Sequence, residues 1–125
     1  GIFQNMTREE FNSFCEALPA TTNVIQWGGA SVWKVGGKMF AITATWGPGK
    51  GDKIKFKCAD HSYEILIELP GVVQAPYLAR AKWVAVENNE TLSDDDIKSY
   101  IVEAHEIISG KLTKKLQREL GLLAS

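Results

Sequence analysis

Cysteine is scarce in this chain: only Cys15 and Cys58 occur, far apart and in no CxxC pair. The scarcity excludes a disulfide framework and a structural zinc site of the usual spacing. Neither thiol neighbours a catalytic His/Asn arrangement, so both read as small buried hydrophobes rather than nucleophiles. Histidine is equally scarce. His61 lies near Asp60 and Glu64, and His105 between Glu103 and Glu106. A metal or acid–base centre needs several converging groups, so structural histidines are the expectation. Also missing are HExxH, GxSxG and a GxGxxG leading into a helix. The chain is therefore expected to be non-enzymatic, with no metal and no cofactor. No apolar run approaches the roughly 20 residues that span a bilayer. No basic segment followed by an apolar one marks a secretory signal. A cytoplasmic protein without a membrane partner is the expectation.

What is present has the balance of an ordinary globular domain, with 45% hydrophobic and 23% charged residues. A length of 125 residues suits one domain with one core and no need of staples. Residues 1–5 carry no helical or strand pattern and read as a cloning remnant or a frayed arm, leaving residues 6–125 as the domain. The formal net charge is −1, but it is unevenly spread: Val24 to Val86 carries a local excess of +4, while the acids collect in the flanks. A basic face is thus compatible with a mildly acidic chain, because steering follows local distribution as well as the total.

Thr7 with Glu10 forms a capping-box pattern, and Phe11, Phe14, Cys15 and Leu18 follow at helical spacing, which predicts an amphipathic helix ending near Pro19. From Val24 to Phe56 the texture becomes short β-rich runs punctuated by Gly28-Gly29, Gly36-Gly37 and the Gly47–Asp52 stretch, as in an antiparallel meander. Asp60 can cap a second helix carrying Tyr63, Leu66 and Ile67, which stops at Pro70-Gly71. Residues 72–80 read as an extended connection and "KWVAVE" as a final strand. Ser93, with Asp96 three residues on, opens a third helix whose apolar stripe is Ile97, Tyr100, Ile101, Ala104 and Ile108. Asp94 to Asp96 suit its positive N-terminus and lack the spacing of a calcium loop. Leu112, Leu116, Leu120 and Leu123 predict a short terminal helix exposing Lys114, Lys115 and Arg118. The order α-β-β-β-β-α-β-α-α gives an α+β fold, an antiparallel sheet with helices packed on one face.

Gly36-Gly37-Lys38 invites a phosphate-loop reading, but that loop needs GxxxxGK[ST] running into a helix. Here Met39-Phe40-Ala41-Ile42 follow, which is strand, so the glycines form a two-residue type I′ turn. The turn sets Val35 opposite Lys38, Lys34 opposite Met39 and Trp33 opposite Phe40. Trp33, Val35, Phe40 and Ile42 then share the core face, with Val32, Lys34, Met39, Ala41 and Thr43 on the other. In "KIKFK" Ile54 and Phe56 point one way and Lys53, Lys55 and Lys57 the other. Lys34, Lys53, Lys55 and Lys57 are expected on one solvated sheet surface. Of four tryptophans, Trp33 reads as core, whereas Trp27 and Trp83 stand at strand edges or beside basic residues, where either a core place or a stacking or pocket role fits.

The stretches "FCEALP", "QWG" (26–28), "WKVGGKMFA" (33–41), "KIKFKC" (53–58), "APYLARAKWVAV" (75–86) and "KLTKKLQREL" (111–120) together resemble the MmcQ/YjbR-like family, in the right order over nearly the whole chain. The resemblance implies a CyaY-like, double-wing α+β fold, and DNA binding through wing-like hairpins. It picks out Trp27, Gly28, Lys34, Gly36, Gly37, Lys38, Phe40, Lys57, Pro76, Tyr77 and Trp83. It does not extend to the iron chemistry of the related frataxins, because the first helix offers only Glu9, Glu10 and Glu16 of the acidic ridge they use.

Two functions follow as expectations. The first is weak nucleic-acid binding, with Lys34, Lys38, Lys53, Lys55 and Lys57 meeting phosphates and the Gly47–Asp52 hairpin as a wing. The second is a small-molecule or protein-partner module whose pocket is formed by Trp27, Tyr77 and Trp83.

Overall fold

The computed structural model describes residues 8–26, 29–45, 52–75, 79–86 and 92–122. The readings of residues 1–5, Thr7, Trp27, the 47–51 wing, Tyr77 and Leu123 lie outside those residues. Among the described residues six strands form one antiparallel sheet: β1 (Thr21–Gln26), β2 (Ala30–Val35), β3 (Lys38–Thr45), β4 (Asp52–Lys57), β5 (Val72–Gln74) and β6 (Trp83–Val86), in the order β1-β2-β3-β4-β6-β5. The helices described, α1 (Arg8–Glu16), α2 (Asp60–Leu66), α3 (Asp94–Gly110) and α4 (Lys114–Glu119), pack on one face, as the α+β reading requires. The extra strand is β5. Its three residues pair with β6 at the sheet edge, where sequence pattern alone suggests only an extended connection.

Local chemistry explains most boundaries. Ser93 Oγ accepts from the Asp96 amide and the Asp96 carboxylate accepts from the Ser93 amide, both at 3.1 Å, so the capping box forms. Thr113 caps α4 in the same way through the Leu116 amide. At α2 the expectation fails. The N-cap is Ala59, with no side-chain cap, and Asp60 is the first helical residue, where its charge still meets the helix N-terminus. Helices of 7 and 6 residues, α2 and α4, are too short to persist alone and are held by packing. The core they join contains Phe11, Phe40, Phe56, Leu66, Ile97 and Ile101, all fully buried; each such burial is worth about 1.5–3 kcal/mol relative to exposure. Cys15 and Cys58 belong to this cluster as small hydrophobes. Burial pushes the Cys15 thiol up to about 12, and burial with the Glu103 carboxylate does the same for Cys58.

The β2–β3 hairpin departs from the expected register at one point. Val35 faces Lys38 and Lys34 faces Met39, but Trp33 faces Ala41, so Phe40 is an extra residue, a β-bulge. Phe40 and Ala41 both join the helix-side core, and Ile42 moves to the opposite face beside Val32. Thr43 is buried and faces Ile54 and Ser31 across its neighbours. Trp33 remains core: its Nε1 donates to Asn12 Oδ1 at 2.9 Å, and Ser31 Oγ donates to the same oxygen at 2.8 Å, tying α1 to the sheet.

Gly36 and Gly37 have φ of 60° and 82°, the positive values that both central residues of a type I′ turn need. They differ in surroundings. A Cβ at Gly36 would lie 2.5 Å from Leu112 Cδ1, whereas one at Gly37 meets nothing within 4 Å. Alanine at either site is expected to cost about 1–2 kcal/mol for the left-handed backbone. At Gly36 overpacking against buried Leu112 adds about 1–3 kcal/mol. Urea denaturation should therefore place the Gly36→Ala midpoint clearly below that of Gly37→Ala; equal midpoints would refute the contact.

Candidate functional site

Strand β4 is central, flanked by β3 and β6, and its alternation sends Lys53, Lys55 and Lys57 to the face without helices. Lys55 stands between Ile42 and Ala85, Lys57 beside Trp83, and Lys53 beside Ala44. Lys34 joins them from β2, opposite Met39. Four of the five candidate lysines thus share one face, as the alternation requires. Lys38 does not. It opens β3 opposite Val35, on the other side of the pleat from Lys34, and is exposed at the hairpin.

The expectation of a flat, solvated ammonium row is corrected. Lys53 and Lys57 are only 6% and 8% exposed, and Lys34 and Lys55 are half-buried. The reason lies underneath. The bulge at Phe40 brings Ile42 to this face, where with Ala30, Val32, Ala75, Trp83 and Ala85 it builds a second, smaller apolar cluster. Lysine stems that cover such a floor are drawn down with it. Trp83 is buried in the floor, so among the described residues the expected Trp27–Tyr77–Trp83 pocket contributes only this tryptophan.

A short 3-10 helix, Ala79–Ala81, passes over the end of β4, where Ala81 O accepts a hydrogen bond from Lys57 Nζ. Lys82 then takes φ of 64° and returns the chain to the sheet, its carbonyl accepting from the Cys58 amide at 2.8 Å. Its own ammonium lies 4.9 Å from the Tyr63 ring centroid, a cation–π contact. No residue type announces these features. A left-handed lysine has no mark in sequence, and a carbonyl acceptor is common to every residue.

Desolvation lowers the pKa of Lys55. It also lowers that of Lys57, helped by Lys111 and Lys82 and opposed by Asp60. Unfolded lysine titrates near 10.5, so between the lowered folded value and that pH the unfolded chain binds more protons, and stability gains from rising pH. The two thiols act oppositely, because the folded state holds their protons from about 9 to 12. Comparison with lysine variants separates the two. The stability of wild type relative to Lys55→Met and to Lys57→Met should increase between neutral pH and about pH 10. A difference independent of pH in urea titrations would show that these ammonium groups are not desolvated.

Other candidates fall elsewhere. His61 is exposed on α2, and His105 is buried on α3, its ring edge against Phe40 and Nε2 2.7 Å from Pro19 O. Among the described residues no three His, Cys, Asp or Glu side chains converge as metal ligands. None of the described helices is long and apolar enough to cross a membrane.

Comparison with known proteins bears on the family and the fold. A crystal structure of a Deinococcus radiodurans protein with a DUF419 domain superposes with a TM-score of 0.82 at 22% identity, covering 99% of this chain and 95% of that one. A Pseudomonas syringae protein superposes with a TM-score of 0.68 at 20% identity, covering 82% of this chain and 99% of the other. At such identities the likeness speaks for the fold. None of the curated proteins matches. The YjbR family model matches residues 16–107, a span that takes in all six strands, α2 and most of α3, and the chain therefore belongs to the YjbR family.

Proposed function

We propose that this protein is a non-enzymatic binding module that takes a small organic anion, of phosphate or carboxylate type, on the lysine-bearing sheet face. The observation that carries the reading is the burial of Lys53 and Lys57 over an apolar floor containing Trp83. A duplex presents phosphates at its rim and needs ammonium groups that stand out from the protein surface. Recessed lysines suit an anion small enough to come down to them. In a partly dehydrated setting each charge-assisted hydrogen bond is strong. An ammonium carries three N–H donors, so one carbonyl partner such as Ala81 does not exhaust Lys57.

One observation favours DNA as a second reading, at a different place. The contact between Gly36 and Leu112 sets exposed Lys38, at the hairpin, near exposed Lys111, Lys114 and Lys115 at the α3–α4 junction. The two readings separate in one experiment. Pyrophosphate and a nucleoside diphosphate are titrated into labelled protein by NMR, and a short fluorescent duplex is titrated at low salt. The anion reading expects saturable shifts at Lys55, Lys57, Val84 and Ala85, and about tenfold weaker binding by Lys55→Met. It also expects unchanged binding by Lys38→Glu/Lys115→Glu. Absence of saturation, or equal binding by Lys55→Met, overturns it. Duplex affinity that is lost only in Lys38→Glu/Lys115→Glu selects the second.

A further inference from the structure

On the helix side, away from the lysine face, a cleft of about 420 Å³ opens between the turn after α1, the outer face of α3, and α4. That volume lies within the range of about 300–1,000 Å³ of small-molecule sites. Leu18, Val102 and Leu122 give it apolar walls. Its polar lining is one-sided. Ser109 Oγ is, among the described residues, the buried side-chain polar atom without a hydrogen-bond partner. Leaving such a group unsatisfied destabilises the fold, and a bound donor would relieve it. Gln117 commits its amide nitrogen to Leu112 O at 2.8 Å, so its remaining amide oxygen is an acceptor. Glu106 is exposed and adds a carboxylate. His105 cannot serve as the missing donor. Its 2.7 Å partner, Pro19 O, only accepts, which places the proton on Nε2 and spends it there. Among the described residues no lysine or arginine lines the cleft.

We infer that this cleft binds a small primary ammonium with a short hydrocarbon body. Its N–H groups meet Ser109 Oγ, the Gln117 oxygen and the Glu106 carboxylate, and its chain lies on Leu18, Val102 and Leu122. An ammonium offers three donors and no acceptor, which suits the Glu106 carboxylate, the Gln117 amide oxygen and the lone pairs of Ser109 Oγ. An anion would meet Glu106 with like charge and find no cation. A neutral alcohol could satisfy Ser109 but would forgo the carboxylate.

The test uses n-hexylammonium, with hexanoate and hexanol as equal-length controls, titrated into labelled protein by NMR. Hexylammonium should saturate and shift the amides of Val102, Ser109, Gly110 and Gln117. Hexanoate should leave them in place, and hexanol should bind about tenfold more weakly. Ser109→Ala should fold with an unchanged or higher melting temperature, because its hydroxyl has no partner to lose. It should bind hexylammonium about tenfold more weakly. Glu106→Gln, at an exposed position, should weaken binding similarly and keeps the test independent of folding. Equal binding of hexanoate or hexanol, full affinity in either variant, shifts confined to other residues, or no saturable binding overturns the inference.

Discussion

One extra residue in β3 governs the character of both faces of the sheet. Because Phe40 is inserted opposite the Trp33–Lys34 step, the pleat of β3 changes phase between Met39 and Ala41. Toward the helices this places Phe40 edge-on against the His105 ring of α3 at 5.3 Å, with Ala41 beside it in the same core. Away from the helices it delivers Ile42 to the centre of the other face. A regular hairpin would have left alanine and threonine there, and the lysines of β4 would have had little to lie upon. The lowered pKa values of Lys55 and Lys57 follow from the same displacement, since desolvation is the leading cause of both.

The molecule thus has two buried layers of unequal kind. The helix-side core is large, aromatic and dry, and it contains the two cysteines as inert packing. Its perimeter is pinned by polar contacts of long sequence separation. Asn12 receives Trp33 and Ser31, Arg8 donates to Gly29 O at 2.7 Å, and Ser62 donates to Glu103. The second layer is small and roofed by charged side chains. A core of the first kind specifies the fold. A layer of the second kind keeps ammonium groups in a poorly hydrated setting at a cost to stability, the condition under which a bound anion gains most.

The hairpin at Gly36-Gly37 connects these layers to the end of the molecule where α3 hands over to α4. Leu112 closes over Gly36, so a side chain there would have to displace a buried leucine methyl. The turn therefore needs glycine twice over, for its backbone sign at both positions and for space at the first. Lys111, beside Leu112, is felt electrostatically at Lys57. Position in the tertiary fold, and not the net charge of −1, determines where this chain is basic.

Much of this was legible in the residues alone, wherever the signal was local. The helical stripe of α3, its Ser93–Asp96 cap, the Gly-Gly turn and the common face of Lys53, Lys55 and Lys57 each follow from spacing within one segment, because helix and strand periods are properties of a single chain stretch. Other features depended on two segments meeting. The bulge exists only when β3 is counted against β2, and β5 is a strand only because β6 pairs with it. Lysine exposure was the largest difference. Alternation states which way a side chain points, but burial depends on what lies beneath and above it, here Ile42, Trp83 and the turn ending at Ala81. The sequence by itself determined the family, the α+β class and the shared lysine face, through local periodicity and turn chemistry. Only the tertiary structure decided that the face is recessed and partly desolvated, because solvation is set by the neighbours that folding brings from elsewhere in the chain.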